Sequence, residues 1–418
     1  MRESAWVGAG FVLQYSAQAA RAVFLTRILT PHALGIYFVL RAIAVAGSMA
    51  TQLGLGTVGL RRVAAAGADH AGIRAALRGV FILTAQTSVV GTLLAILAGW
   101  ATGLALVDAA LVGLMLAALT WTATLADLGR GLGRTATVSG IERVFGSVAD
   151  LVALLALYLT AGRSTLTDVL AVTTGANVVT SILLAGLVGR AAPGWVPGEK
   201  DSVVPARELL DESLPIAGNT LLWKALAELD LWLVALLGTP AAAAVYGIAL
   251  RLAVPLDLPK SVIAYQLSPR IAHVHALGQT EALERVLKRW ARRATVTTGA
   301  AYLAVIGIGT QGLDWLFGPD YAAALPLFVV LGIGRILSAA AGLPGVTLLM
   351  TGHSRVIVRI SMVSTVTTAT VALLLIPRLG AMGAAVAAST GYTIQCALMT
   401  RAVRQFAGVS VHAGPRVG

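Results

Sequence analysis

Stretches of about twenty apolar residues, each long enough to carry a helix across a bilayer core of about 30 Å, follow one another along nearly the whole chain. Twelve such runs fall at residues 5–28, 34–55, 80–100, 104–125, 144–162, 166–188, 214–238, 241–264, 294–316, 322–350, 356–376 and 379–400. None shows the period-two alternation of a membrane strand, and glycine and proline occur freely within them, as membrane helices tolerate. The expected fold class is an all-α membrane protein of about 12 transmembrane helices. Ala17, Gln18 and Ala19 form an A-x-A site that could end a secretory signal, but apolar sequence continues past it through "AVFLTRIL", as in a spanning helix.

Composition agrees: 57% of the 418 residues are hydrophobic and 12% are charged, far from the values of soluble domains. The net charge of +12 is distributed as a topology signal rather than as a nucleic-acid footprint. With the N-terminus in the cytoplasm, alternate connections collect Arg61, Arg62, Arg130, Arg134, Lys200, Arg207 and Arg355 inside, while the outer ones keep only Arg163 and Arg378. Both termini are expected in the cytoplasm of a cell membrane protein. "EALERVLKRWARRA" (281–294) sets Leu283, Val286, Leu287 and Trp290 against Arg285, Lys288, Arg289 and Arg292. It reads as an interfacial helix on anionic membrane lipid.

The pattern also repeats. A shift of 209 lays "RILTPHALGIY" (27–37) on "LLGTPAAAAVY" (236–246), matching Thr30 with Thr239, Pro31 with Pro240 and Tyr37 with Tyr246. Arg41 and Arg251 follow, one residue out of step. Six runs per copy is an even number, so the copies are expected as parallel repeats about an axis along the membrane normal. The predicted organisation is a six-helix bundle over 1–189, a cytoplasmic linker at 190–213 and a second bundle over 214–418, around a central cavity.

Ionisable side chains inside spanning runs are costly, about 2.5 kcal/mol or more when they face lipid at the centre, and they seek a cavity or a partner. Arg27 and Lys260 lie near run ends and can snorkel. Arg21, Arg41, Lys224, Arg251 and Arg335 lie deeper. At 1.5 Å per residue Arg41 and Arg251 are about 10–15 Å below the outer surface, and Lys224 and Arg335 about 14–18 Å from theirs. Gln14, Gln18 and Arg21 form one polar stripe at i, i+4, i+7. In the seventh run Asn219, Trp223 and Asp230 share a face, and Lys224 with Glu228 is an i, i+4 pair that can neutralise itself. The candidate cavity residues are therefore Arg21, Arg41, Arg251, Arg335, Lys224, Gln14, Gln18 and Asn219. The repeat sets Arg21 opposite Asp230, which leaves three roles open: a structural bridge, a gate, or a carboxylate that binds a coupling cation, H+ or Na+.

"RILTPHALGIY", "QLGLGTVGLRRVAAA" (52–66) and "DLWLVALLGTPAAAAVYGIALR" (230–251) together resemble the polysaccharide flippase family of the multidrug, oligosaccharidyl-lipid and polysaccharide (MOP) exporter superfamily. The resemblance covers nearly the whole chain in run count and half-to-half symmetry, with loose motifs. It implies movement of an undecaprenyl-pyrophosphate-linked oligosaccharide to the outer leaflet by alternating access, and contact with other polysaccharide-assembly proteins. Guanidinium forks suit the phosphate oxygens of such a cargo.

Other chemistries find less support. "GLGTVG" (54–59) matches a dinucleotide fingerprint but ends an apolar run rather than a strand, so it reads as a helix terminus eased by glycines. His273 and His275 lack clustered carboxylates or cysteines, and no carboxylate pair occupies an outer connection, so a glycosyltransferase or polymerase is disfavoured. No metal site or cofactor is expected. A cation-coupled drug antiporter of the same superfamily is the nearer alternative. It would want an acidic chamber, whereas the membrane-embedded surplus is expected to be basic, with only Glu228, Asp230 and Asp257 against it.

Overall fold

The computed structural model describes residues 2–67, 69–162, 164–192, 203–276, 280–409 and 411. Its helices in chain order are α1 (Arg2–Ile28), α2 (Pro31–Gln52), α3 (Leu55–Ala66), α4 (His70–Ala101), α5 (Leu106–Gly131), α6 (Thr135–Ser139), α7 (Gly146–Ala161), α8 (Leu166–Ala191) and α9 (Ala206–Ala227). They continue with α10 (Leu229–Leu237), α11 (Pro240–Ala253), α12 (Leu258–Ala276), α13 (Thr280–Phe317), α14 (Ala324–Ala340), α15 (Pro344–Met350), α16 (Ser354–Leu379) and α17 (Ala381–Ala407). A π-helical stretch, Gly140–Phe145, joins α6 to α7, and a 3-10 turn, Val254–Asp257, joins α11 to α12. Every one of the twelve apolar runs is occupied by helix. Eight helical segments among the described residues are long and apolar enough to cross a membrane, nine if α14 and α15, bent by 43°, count as one span.

The repeated "TP" has a local cause. Thr30 caps α2 by accepting from Ala33 N, and Thr239 caps α11 by accepting from Ala242 N, each followed by a proline at the first helical position. Proline fits there because that N–H has no intrahelical acceptor. The glycines of "QLGLGT" also find their reason: Leu53 and Gly54 adopt left-handed φ of 49° and 71° between α2 and α3. A Cβ on Gly54 would lie 2.9 Å from the Ser213 carbonyl oxygen, so only glycine combines that conformation with that approach.

Packing divides the chain into two compact units, Ser16–Ala227 and Glu228–Gly418 together with Met1–Tyr15. In the first, α5 is the central helix, touching α2, α3, α4 and α8. Its core cluster holds Leu55, Leu77, Leu125, Leu128 and Leu184, and includes Leu209 of α9. The start of α9 is tied to this unit by Arg62, which is 2.7 Å from Glu208 and also meets Glu212, and by Val204 N donating to Ala75 O. Those carboxylates, Glu212 foremost, raise the Arg62 pKa above its ordinary value.

In the second unit α14, α16 and α17 pack together, and a core cluster joins Ile271, Leu283, Leu287, Met399, Val403 and Val411. This corrects the reading of 281–294 as an interfacial helix. The segment is the first part of α13, continuous with a span, and Leu283 and Leu287, exposed by 1% and 2%, are covered by protein rather than lipid.

Candidate functional site

In the first unit a buried ion cluster forms from three helices. Tyr37 and Arg41 lie one turn apart on α2, and α1 brings Arg21 beside them. The Arg21 guanidinium donates to the Tyr37 hydroxyl and stands 5.7 Å from that ring's centre. Asp150, from α7, lies 2.7 Å from Arg21 and 3.8 Å from Arg41 through the same oxygen, Oδ2. Arg21 and Asp150 are buried and Arg41 half-buried. One carboxylate thus faces two guanidinium groups, leaving a net positive charge. Arg21 Nε, Arg41 Nη1 and Asp150 Oδ1 are buried without a hydrogen-bond partner among the described residues. Buried polar groups are rarely left so, and the excess of cationic donors suits an anion.

In the second unit the cations are already answered. Arg335 of α14 pairs with Asp257, donates to Tyr392 Oη at 2.6 Å and lies 4.1 Å from that ring's centre. Lys260 sits 3.6 Å from Asp257 and donates to Ser338 Oγ at 2.6 Å, so it turns inward to α14 instead of snorkelling. Arg251 donates to the Gly247 carbonyl of its own helix at 3.0 Å. Asp230 accepts from the Tyr246 hydroxyl at 2.6 Å and from Leu231 N at 2.9 Å.

The expected ion partner of Arg21, Asp230, is therefore replaced by Asp150. Arg21 and Arg41 come together, whereas Arg251 and Arg335 belong to the other unit and have their own contacts. Gln14 is half-buried and Gln18 exposed, so the stripe on α1 is buried only towards Arg21. The side chains of Asn219, Lys224, Trp223, His273 and His275 lie outside those described. Sequence reasoning missed Asp150 and Asp108, which are 6% and 8% exposed. Both stand inside apolar runs, and the test applied to cations, an ionisable residue within a span, would have found them. Asp108 accepts from Thr167 at 2.6 Å, linking α5 to α8.

The half-to-half relation survives in altered form. Arg21 and Asp230 occupy matching positions of the repeat, and each meets the tyrosine sixteen residues on, Tyr37 or Tyr246. Charge sign is reversed while the contact is retained. No group of three or more metal-ligating side chains occurs among the described residues.

Comparison with known proteins places this architecture. The fold is similar to the inward-facing conformation of a multidrug resistance MATE family transporter of the MOP superfamily, with TM-score 0.76, 16% identity and 94% of each chain covered. It is similar to the outward-facing conformation of such a transporter, with TM-score 0.64, 16% identity and coverage of 97% of this chain and 94% of that one. A third likeness is to a MOP superfamily transporter from Pyrococcus furiosus, for which reverse polarity of the binding pocket is said to suggest a different function. Here the TM-score is 0.67, identity 15%, and coverage 97% of this chain and 94% of that one. A sequence search of curated proteins finds no match. The chain is thus a multi-pass helical membrane protein built on the fold of the MOP superfamily. It belongs to the polysaccharide biosynthesis protein family, whose sequence profile matches residues 1–274.

Proposed function

We propose that this protein is a transporter, not an enzyme, that moves an undecaprenyl-pyrophosphate-linked oligosaccharide from the cytoplasmic to the outer leaflet for cell-surface polysaccharide synthesis. The observation that carries this reading is the Arg21–Asp150–Arg41 cluster, in which two guanidinium groups share one carboxylate and keep unmet donors. A pyrophosphate can occupy both forks, where charge-assisted hydrogen bonds are strongest, and Asp150 holds the two arginines in place until it arrives. Family membership supports a glycan as the rest of the cargo. Gln14, Gln18 and Asn219 are then sugar contacts, and Lys224, Arg251 and Arg335 second-ranked cationic ones.

Twelve spans in two parallel bundles, 1–189 and 214–418 joined through 190–213, with alternating access around a central cavity, complete the proposal. Reporter fusions at Gly198 and Gly278 are expected to read cytoplasmic, and an external signal at either overturns the orientation. For function, Arg21→Ala is expected to abolish glycan export even when the level of inserted protein is matched to that of the native one. Normal export by that variant defeats a transport role for Arg21. Asp230, held by Tyr246, is the candidate coupling carboxylate for H+ or Na+, and the cation-coupled antiporter reading predicts that Asp230→Asn is as severe as Arg21→Ala.

A further inference from the structure

With the apolar side of α13 covered by protein, its opposite side is open to question. Arg285, Arg289 and Arg292 are exposed there at i, i+4, i+7 spacing, one stripe along the helix. Arg355 and Arg359 are exposed in the first two turns of α16, and Arg404 in the last turn of α17. These come from separate parts of the chain, but Leu283, Leu287 and Ala294 of α13, Ile357 and Ile360 of α16, and Ala402 and Val403 of α17 pack in one core cluster. The six arginines therefore stand around one level of the unit. The first turns of α13 carry two acidic residues, Glu281 and Glu284, the latter 2.6 Å from Lys288, so the six arginines outnumber them.

Each stripe then changes character within about a turn. On α13 Arg292 is followed by Val296, exposed by 70%, and Leu303, by 65%; on α16 Arg359 is followed by Val363 at 53% and Val366 at 66%. The next arginine on α16 is Arg378, in its last turn, about 28 Å further along at 1.5 Å per residue. That length matches the hydrocarbon core of a bilayer.

We propose that this level of the Glu228–Gly418 unit is a binding surface for anionic phospholipid headgroups, with Arg285, Arg289, Arg292, Arg355, Arg359 and Arg404 at headgroup depth and the exposed valines and leucines against the acyl chains. The geometry commits the ligand to a membrane lipid rather than a free phosphate, because the basic belt and the apolar surface are continuous along the same helix faces. An upright helix presenting arginines at its foot replaces a helix lying flat. Each basic residue near the surface strengthens association with anionic lipid about fivefold.

The test uses the full chain reconstituted in phosphatidylcholine vesicles carrying spin-labelled phosphatidylglycerol or spin-labelled phosphatidylcholine, with the motionally restricted fraction read by electron spin resonance. The native protein is expected to favour the anionic probe several-fold, the preference shrinking with added salt. Arg289→Gln/Arg355→Gln/Arg359→Gln should remove most of this preference, bringing it close to one, while the same three positions changed to Lys should keep most of it. Millimolar inorganic phosphate should leave the preference in place. Equal restriction of both probes by the native protein, an unchanged preference in the Gln variant, loss in the Lys variant equal to that in the Gln variant, or abolition by inorganic phosphate overturns the proposal.

Discussion

Asp150→Asn changes one atom's identity and removes the only carboxylate that ties Arg21 to Arg41 among the described residues. At 2.7 and 3.8 Å the gross Coulomb attractions are about 6 and 4 kcal/mol at an effective dielectric of about 20, much of it spent in life on desolvating the ions. Removing one partner of such a buried set leaves the other charges uncompensated and costs about 3–5 kcal/mol net. For a packing unit of roughly 200 residues, about 2–4 °C per kcal/mol makes this a fall on the order of 10 °C in the melting point of the detergent-purified protein. A double-mutant cycle with Arg21→Gln should show coupling of about 1 kcal/mol or more, because the arginine costs most when its counter-ion is gone. Full additivity of the two substitutions, or an Asp150→Asn protein within about 0.5 kcal/mol of the native one, would refute the reasoning and make the cluster an incidental contact.

In the other unit, Tyr246→Phe deprives Asp230 of its 2.6 Å donor and should cost about 1.5–3 kcal/mol, the range for hydrogen bonds to charged groups, read as a shift in denaturation midpoint. Gly383→Ala would place a Cβ 2.5 Å from the Leu375 carbonyl carbon and 2.6 Å from its oxygen; the contact is with backbone and has no rotamer to relieve it, so destabilisation of about 1–3 kcal/mol should appear in the same assay. Arg62→Ala, by contrast, breaks pairs with Glu208 and Glu212, whose side chains are about half exposed, so a loss of no more than about 1 kcal/mol is expected. A large fall there would mean that α9 is held by these charges rather than by the burial of Leu209.

The sequence by itself determined the helical membrane class and the helical state of all twelve apolar runs, because the length of an apolar run is a local property set by the thickness of the bilayer; α3 and α6 lie between those runs and were not legible from them. It also determined the threonine caps and the prolines after them, since each satisfies its own neighbours in the chain, whereas the need for glycine at 54 also depends on the approach of the distant Ser213 carbonyl. Tertiary structure decided which charges meet. Arg21 and Asp150 are far apart in sequence, and no periodicity says that α7 will present its carboxylate to α1; the half-to-half shift pointed to Asp230 because it preserves position without fixing the partner. The same holds for 281–294. Its amphipathic pattern requires an apolar neighbour but is indifferent to whether lipid or protein supplies it, and only the packing of α12, α13 and α17 around Leu283 and Leu287 made that choice.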